Sequence, residues 1–120
     1  MSKNILVVDD SYYMRAVLRI ILEDAGYTVV NEAASGQEAI QCAKDDQPDL
    51  VTLDLILPDN SGLDVLKTIK QNRPDQKVVV VSAVGQESIV KQAEEIGAAA
   101  YITKPFEDEE VVKVINNVFM

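Results

Sequence analysis

At 120 residues and 13.2 kDa, with 48% hydrophobic and 26% charged residues, the chain has the size and make-up of one domain with its own core. Twenty acidic against 11 basic residues leave a net charge of −9, which opposes attraction to nucleic acid or anionic membrane and favours cations and basic protein surfaces. No apolar run approaches the roughly 20 residues that span a bilayer, Met1-Ser2-Lys3 leads into a strand-like run rather than a signal peptide, and a single Cys with no His removes the usual zinc and haem ligands.

A cytoplasmic protein is expected, with any metal held by oxygen. Ile5 to Val8 is apolar throughout, as a strand covered on both faces is, and ends at Asp9-Asp10. Met14, Val17, Leu18, Ile21, Leu22 and Ala25 then recur at i, i+3, i+4 spacing, and Gly26 is placed to stop that helix. Thr28 to Val30 reads as the second strand. Ala39, Ile40 and Ala43 mark the second helix, on which Cys42 reads as a small buried hydrophobe without a function. Leu50 to Leu53 forms the third strand and ends at Asp54; Leu63, Leu66 and Ile69 stripe the helix after it. Val78 to Val81 leads to Ser82, then Ile89, Ala93 and Ile96 give a fourth helix closed by Gly97. Ala99 to Thr103 ends at Lys104-Pro105, and Val111, Val114, Ile115 and Val118 stripe the last helix. Pro48 and Pro74 fall in connections, where they break neither ladder nor helix.

Strict alternation of strand and helix predicts βα units around a parallel sheet, joined by right-handed crossovers into a three-layer α/β sandwich spanning residues 1–120. In such sheets ligands bind beyond the carboxyl ends of the strands. Four of the five ends are polar here, at Asp9-Asp10, Asp54, Ser82 and Lys104. Three carboxylates brought together are costly, since like charges 4 Å apart repel by about 4 kcal/mol at an effective dielectric near 20. One lysine does not balance three acids. A hard divalent cation does, and Mg²⁺ accepts carboxylates, a backbone carbonyl, water and phosphate oxygen. Aspartate also attacks phosphoryl groups, and Asp54, alone at the end of a middle strand, is the natural nucleophile, with Asp9 and Asp10 as cation holders and Lys104 as the opposing charge.

Each residue has a plainer reading taken singly. Asp10 or Ser11 caps the first helix, Asp54 starts a turn toward Pro58, Ser82 caps the fourth helix, and Lys104 is an ordinary solvated lysine. Their joint placement on four separate strand ends outweighs those readings.

Leu6-Val7-Val8-Asp9-Asp10, Leu53-Asp54 followed by Pro58 and Gly62, Ser82-Ala83 after Val78 to Val81, and Lys104-Pro105-Phe106 together resemble the receiver domain of two-component response regulators over essentially the whole chain. The resemblance implies a flavodoxin-like doubly wound fold with strand order 2-1-3-4-5. It implies that a histidine kinase phosphorylates Asp54, and that Asp10, Asp54 and the backbone carbonyl of Ile56 contact Mg²⁺ while Asp9 acts mostly through water. It further implies that Ser82 senses the phosphoryl oxygens, Lys104 pairs with the phosphate, and Tyr101 changes rotamer on activation. The Lys104-Pro105 bond is cis in similar domains. Ile56 and Val84, two residues after the acceptor and the hydroxyl, are apolar where polar groups help orient hydrolytic water, which implies slow self-dephosphorylation.

Ser11, Met14, Arg15, the Ala83-Val84-Gly85-Gln86 stretch and the lack of an output domain resemble the free-standing chemotaxis regulators. That implies a monomeric switch acting through the face of helix four, strand five and helix five on a flagellar or archaellar motor-switch or adaptor protein, and leaves a dedicated phosphatase open as a further partner. The alternatives are a receiver in another phosphorelay, a Mg²⁺-dependent phosphohydrolase, a flavin binder and a phosphorylation-independent module. Ile56, where haloacid-dehalogenase-like hydrolases carry a second acid, disfavours the hydrolase. The acidic first loop disfavours a flavin phosphate, and the intact pocket set disfavours the degenerate module.

Overall fold

Side chains on successive strand residues point to opposite faces, so a run apolar at every position needs cover on both. The computed structural model, which describes residues 2–120, provides it. Its elements are β1 (Asn4–Val8), α1 (Tyr12–Asp24), β2 (Thr28–Ala33), α2 (Gly36–Asp46), β3 (Leu50–Leu53), α3 (Gly62–Asn72), β4 (Lys77–Ser82), α4 (Glu87–Ile96), β5 (Ala100–Thr103) and α5 (Asp108–Phe119). The sheet is wholly parallel in the order β2-β1-β3-β4-β5, a flavodoxin-like doubly wound fold.

Two cores follow from the alternation. Ile5 and Val7 of β1 with Val79 and Val81 of β4 pack against Leu18, Ile21 and Leu22 of α1 and Val111 and Ile115 of α5. Leu6, Val8, Val78 and Val80 face the other way, onto Ala39 and Ala43 of α2, Val65, Leu66 and Ile69 of α3, and Ala93 of α4. Leu66 is fully buried, and truncation to Ala is expected to cost about 3 kcal/mol.

The structure corrects four details of the sequence reading. β2 runs on through Asn31 and Glu32 to Ala33 rather than stopping at Val30. It is an edge strand, so polar residues fit its outer face, and Val30 is 39% exposed. β5 begins at Ala100, one residue late. Ala25 leaves the α1 stripe as an exposed C-cap, and Gly26 at φ +95° turns the chain away. Cys42 is half-buried, its sulfur 3.5 Å from Asn31 Nδ2.

Candidate functional site

The four polar strand ends meet at one edge of the sheet. Asp9 and Asp54 continue β1 and β3, and the ladder carries on into them: Asp9 N–H donates to the Ala33 carbonyl and Asp54 N–H to the Val8 carbonyl, each at 3.0 Å. Ser82 is the last residue of β4, and its carbonyl accepts from Lys104 N–H at 2.9 Å just beyond β5. Backbone register therefore delivers all four side chains to the same place.

Lys104 Nζ lies 2.7 Å from Asp9 Oδ2 and 2.9 Å from Asp54 Oδ2. The other Asp54 oxygen accepts from Ser82 Oγ and from Ile56 N–H, each at 3.0 Å. Asp9 Oδ1 accepts from Ser11 N–H at 2.9 Å. One carboxylate oxygen from each of Asp9, Asp10 and Asp54 lies within 4.8 Å of the others. Asp9 and Asp54 are buried, whereas Asp10 is exposed and has no side-chain hydrogen bond among the described residues.

Charge is unbalanced in this cluster, three acids to one ammonium. Burial pushes the Asp9 carboxyl up, its bonds to Lys104 and to Ser11 N–H reduce that rise without cancelling it, and the Asp54 charge adds to it. Burial alone would lower the Lys104 pKa, but the hydrogen bonds to Asp9 and Asp54 outweigh it and hold the lysine protonated above its usual range. A donor set of oxygens alone, with one carboxylate that has no hydrogen-bond partner among the described residues, fits a hard divalent cation.

The plainer readings fare unevenly. Ser11 does cap α1, accepting from Met14 N–H at 3.2 Å, and Asp54 does close a local turn on Ile56. Ser82 does not cap α4, which starts after Gln86 without a side-chain cap. The Lys104 side chain is only 17% exposed, so it is no solvated lysine. The Lys104-Pro105 bond is cis. Tyr101 donates its hydroxyl to the Val84 carbonyl, and Ser82 Oγ accepts from Val84 N–H at 3.3 Å, so a chain of contacts runs from Asp54 through Ser82 and Val84 to Tyr101. Burial first, and the Asp54 charge after it, raise the Tyr101 phenol.

Ile56 stands on the rim, 56% exposed. The loop that carries it is tied down at both ends. Gly62 N–H donates to the Leu55 carbonyl at 2.9 Å, and a Cβ at Gly62 would sit 2.2 Å from Leu55 Cα, so only glycine fits. Asp59 reaches the start of α2, accepting from Gly36 N–H at 2.8 Å and Gln37 N–H at 3.0 Å, and these backbone bonds lower its pKa. Sequence gave no sign of Asp59, nor of Glu32, which pairs with Arg15 at 3.0 Å and Arg19 at 2.7 Å. Arg15 stood out only through the resemblance.

Residues 5–116 match the family described as response regulator receiver domain. Among curated proteins, the chain is 42% identical to chemotaxis protein CheY of Thermotoga maritima, with 98% of each chain covered. It is 32% identical to sporulation initiation phosphotransferase F of Bacillus subtilis, over 92% of this chain and 89% of that one. Among solved structures, a chain of the CheX-CheY-BeF3-Mg complex from Borrelia burgdorferi superposes with a TM-score of 0.96 at 32% identity, covering 98% of this chain and 90% of the other. No helix among the described residues is long and apolar enough to cross a membrane.

Proposed function

The chain belongs to the response regulator receiver family, and from that membership we propose that it is a cytoplasmic signalling switch that accepts a phosphoryl group on Asp54 from a histidine kinase. The observation that carries this is the position of the Asp54 carboxylate, buried, gripped by Lys104 and Ser82, and beside two further acids. In the transfer, a bond forms between an Asp54 oxygen and phosphorus as the bond from phosphorus to the kinase imidazole nitrogen breaks; that nitrogen keeps the electron pair.

The residues divide the work. Lys104 supplies fixed positive charge where the phosphoryl oxygens arrive, and Ser82 offers a hydroxyl donor in a water-poor setting, where such groups act most strongly. Asp10, Asp54 and the Ile56 carbonyl would hold Mg²⁺ directly and Asp9 would hold it mostly through water. When bound, the ion neutralises charge on the transferring group. Ser82 and Tyr101 form the switch, since the contact chain through Val84 links the acceptor to β5. Turnover is confined to self-phosphotransfer and slow self-hydrolysis.

Relatives named for chemotaxis support motility as the pathway, with a motor-switch or adaptor protein as the downstream partner of a monomeric switch. The sporulation relative marks a different phosphorelay as the runner-up.

Intact-mass analysis after incubation with acetyl phosphate, with and without Mg²⁺, tests the chemistry. The expected result is one added phosphoryl group in the wild type, dependent on Mg²⁺ and absent from Asp54→Asn. No adduct under any condition would remove the proposal.

A further inference from the structure

The Asp9-Asp10 turn has a support outside the cluster it serves. The last ladder pairings of β1 are Val8 with Ala33 and Val8 with Leu53, so the Asp9 carbonyl lies past the end of the sheet. Arg15, one turn into α1, donates to that carbonyl from Nη1 at 2.8 Å, while its Nε donates to Glu32 Oε1 at 3.0 Å. The arginine side chain is 14% exposed. Glu32 is fixed in turn: it stands on β2 opposite Val7, and its second oxygen takes Arg19 at 2.7 Å.

The Asp9 carbonyl oxygen and the Asp10 N–H belong to one rigid peptide plane. Holding the oxygen therefore holds the plane from which Asp10 departs. Asp9 has anchors of its own in Lys104 and Ser11, but Asp10 has no side-chain partner among the described residues, so its backbone is what fixes the point from which its carboxylate projects. A planar guanidinium reaches a carbonyl and a carboxylate at once, which a lysine ammonium on a flexible stem does with less precision.

We propose that Arg15, clamped by Glu32, is a positioning residue that fixes the peptide between Asp9 and Asp10 and so sets Asp10 for the divalent cation. This rests on the metal site proposed above, and it adds residues that touch neither metal nor phosphoryl group.

The test is a Mg²⁺ titration of unphosphorylated protein followed by amide NMR shifts, with urea unfolding of every variant alongside. Partners that orient metal ligands from behind are worth 10- to 100-fold in affinity, so Arg15→Met is expected to weaken Mg²⁺ binding by about tenfold. Arg15→Lys is expected to recover part of that loss. Glu32→Gln, which loosens the clamp and leaves the Asp9 contact in place, is expected to cost about threefold. Arg19→Met is the control: it removes the other partner of Glu32 without touching Asp9, and is expected to stay within about twofold of wild type. Wild-type affinity in Arg15→Met with a native amide spectrum would overturn the proposal, as would an equal loss in Arg19→Met. If Arg15→Met does not fold, Arg15→Lys and Glu32→Gln decide, and wild-type affinity in both overturns it. A wild type that shows no Mg²⁺ response overturns the metal site itself along with this inference.

Discussion

The two ends of the sheet use polar side chains for opposite purposes. At the amino end they tie off backbone: Gln76, 1% exposed, donates to the Pro48 carbonyl at 3.0 Å and the Lys77 carbonyl at 3.2 Å, and Lys70 Nζ donates to the Pro74 and Gln76 carbonyls at 2.7 and 2.8 Å. Asp49 Oδ2 likewise accepts from Asn4 N–H at 2.7 Å. At the carboxyl end, side chains from four strands bind one another and carry a surplus of negative charge. The first arrangement offsets the cost of burying peptide groups. The second spends stability to hold the proposed acceptor carboxylate, which is how functional sites commonly differ from the scaffold around them.

Substitutions at the two ends are therefore expected to move stability in opposite directions. The largest effect belongs to Gln76→Ala, which opens a cavity and leaves the Pro48 carbonyl buried without its donor, offset in part by removal of the unpartnered Gln76 Oε1; urea unfolding is expected to show a loss of about 2 kcal/mol. Unchanged stability there would erase the contrast. At the carboxyl end, Val84→Glu places a carboxylate beside the acceptor pocket, and the half-life of the phosphorylated protein is expected to shorten about tenfold, or 1.4 kcal/mol of barrier. An unchanged half-life would count against the apolar rim as the cause of a long-lived adduct.

Asp10→Asn sharpens the comparison from the other side. It removes one of three crowded acids, so metal-free protein is expected to gain about 1 kcal/mol, a fraction of the repulsion at closer range because Asp10 is exposed and screened. Added Mg²⁺ is expected to stabilise wild type by binding the folded state alone, and to stabilise this variant far less. The smallest effect concerns Asp59, whose folded-state pKa is lowered by the Gly36 and Gln37 N–H groups. A depressed carboxyl contributes stability above its unfolded pKa, near 3.9, and loses it as pH falls through the folded value. The advantage of wild type over Asp59→Asn in urea is therefore expected to be constant from pH 7 to about 5 and to shrink below pH 4. A difference that persisted at pH 2 would rule out the carboxylate as its source.

Legibility in the sequence followed the same division. Apolar runs that end abruptly in a carboxylate, hydroxyl or lysine announce strand ends at a site, and Asp9, Asp10, Asp54, Ser82 and Lys104 converge as that pattern required. Sheet order came from the resemblance, because alternation alone fixes the layers without fixing which strands are neighbours. β2 reads short in the sequence because an edge strand tolerates Asn31 and Glu32, which look like the end of an apolar run. The Arg15–Glu32 and Asp59–Gly36 contacts were out of reach: each joins segments 17 or more residues apart whose relative register only the folded sheet determines. Gln76 was equally hidden, since a polar residue before a strand reads as loop until its burial is seen.

Gly62 has a consequence for anyone who wishes to tune the acceptor without altering it. Its missing Cβ is the clearance on which the outgoing end of β3 rests, 2.2 Å from Leu55 Cα and one residue from Asp54. Position 62 thus works as a set-screw: a methyl group there forces the backbone at Leu55 or at position 62 to give way, and Gly62→Ala is expected to shift the Asp54 carboxylate relative to Lys104 and Ser82 while every chemical group of the pocket is kept.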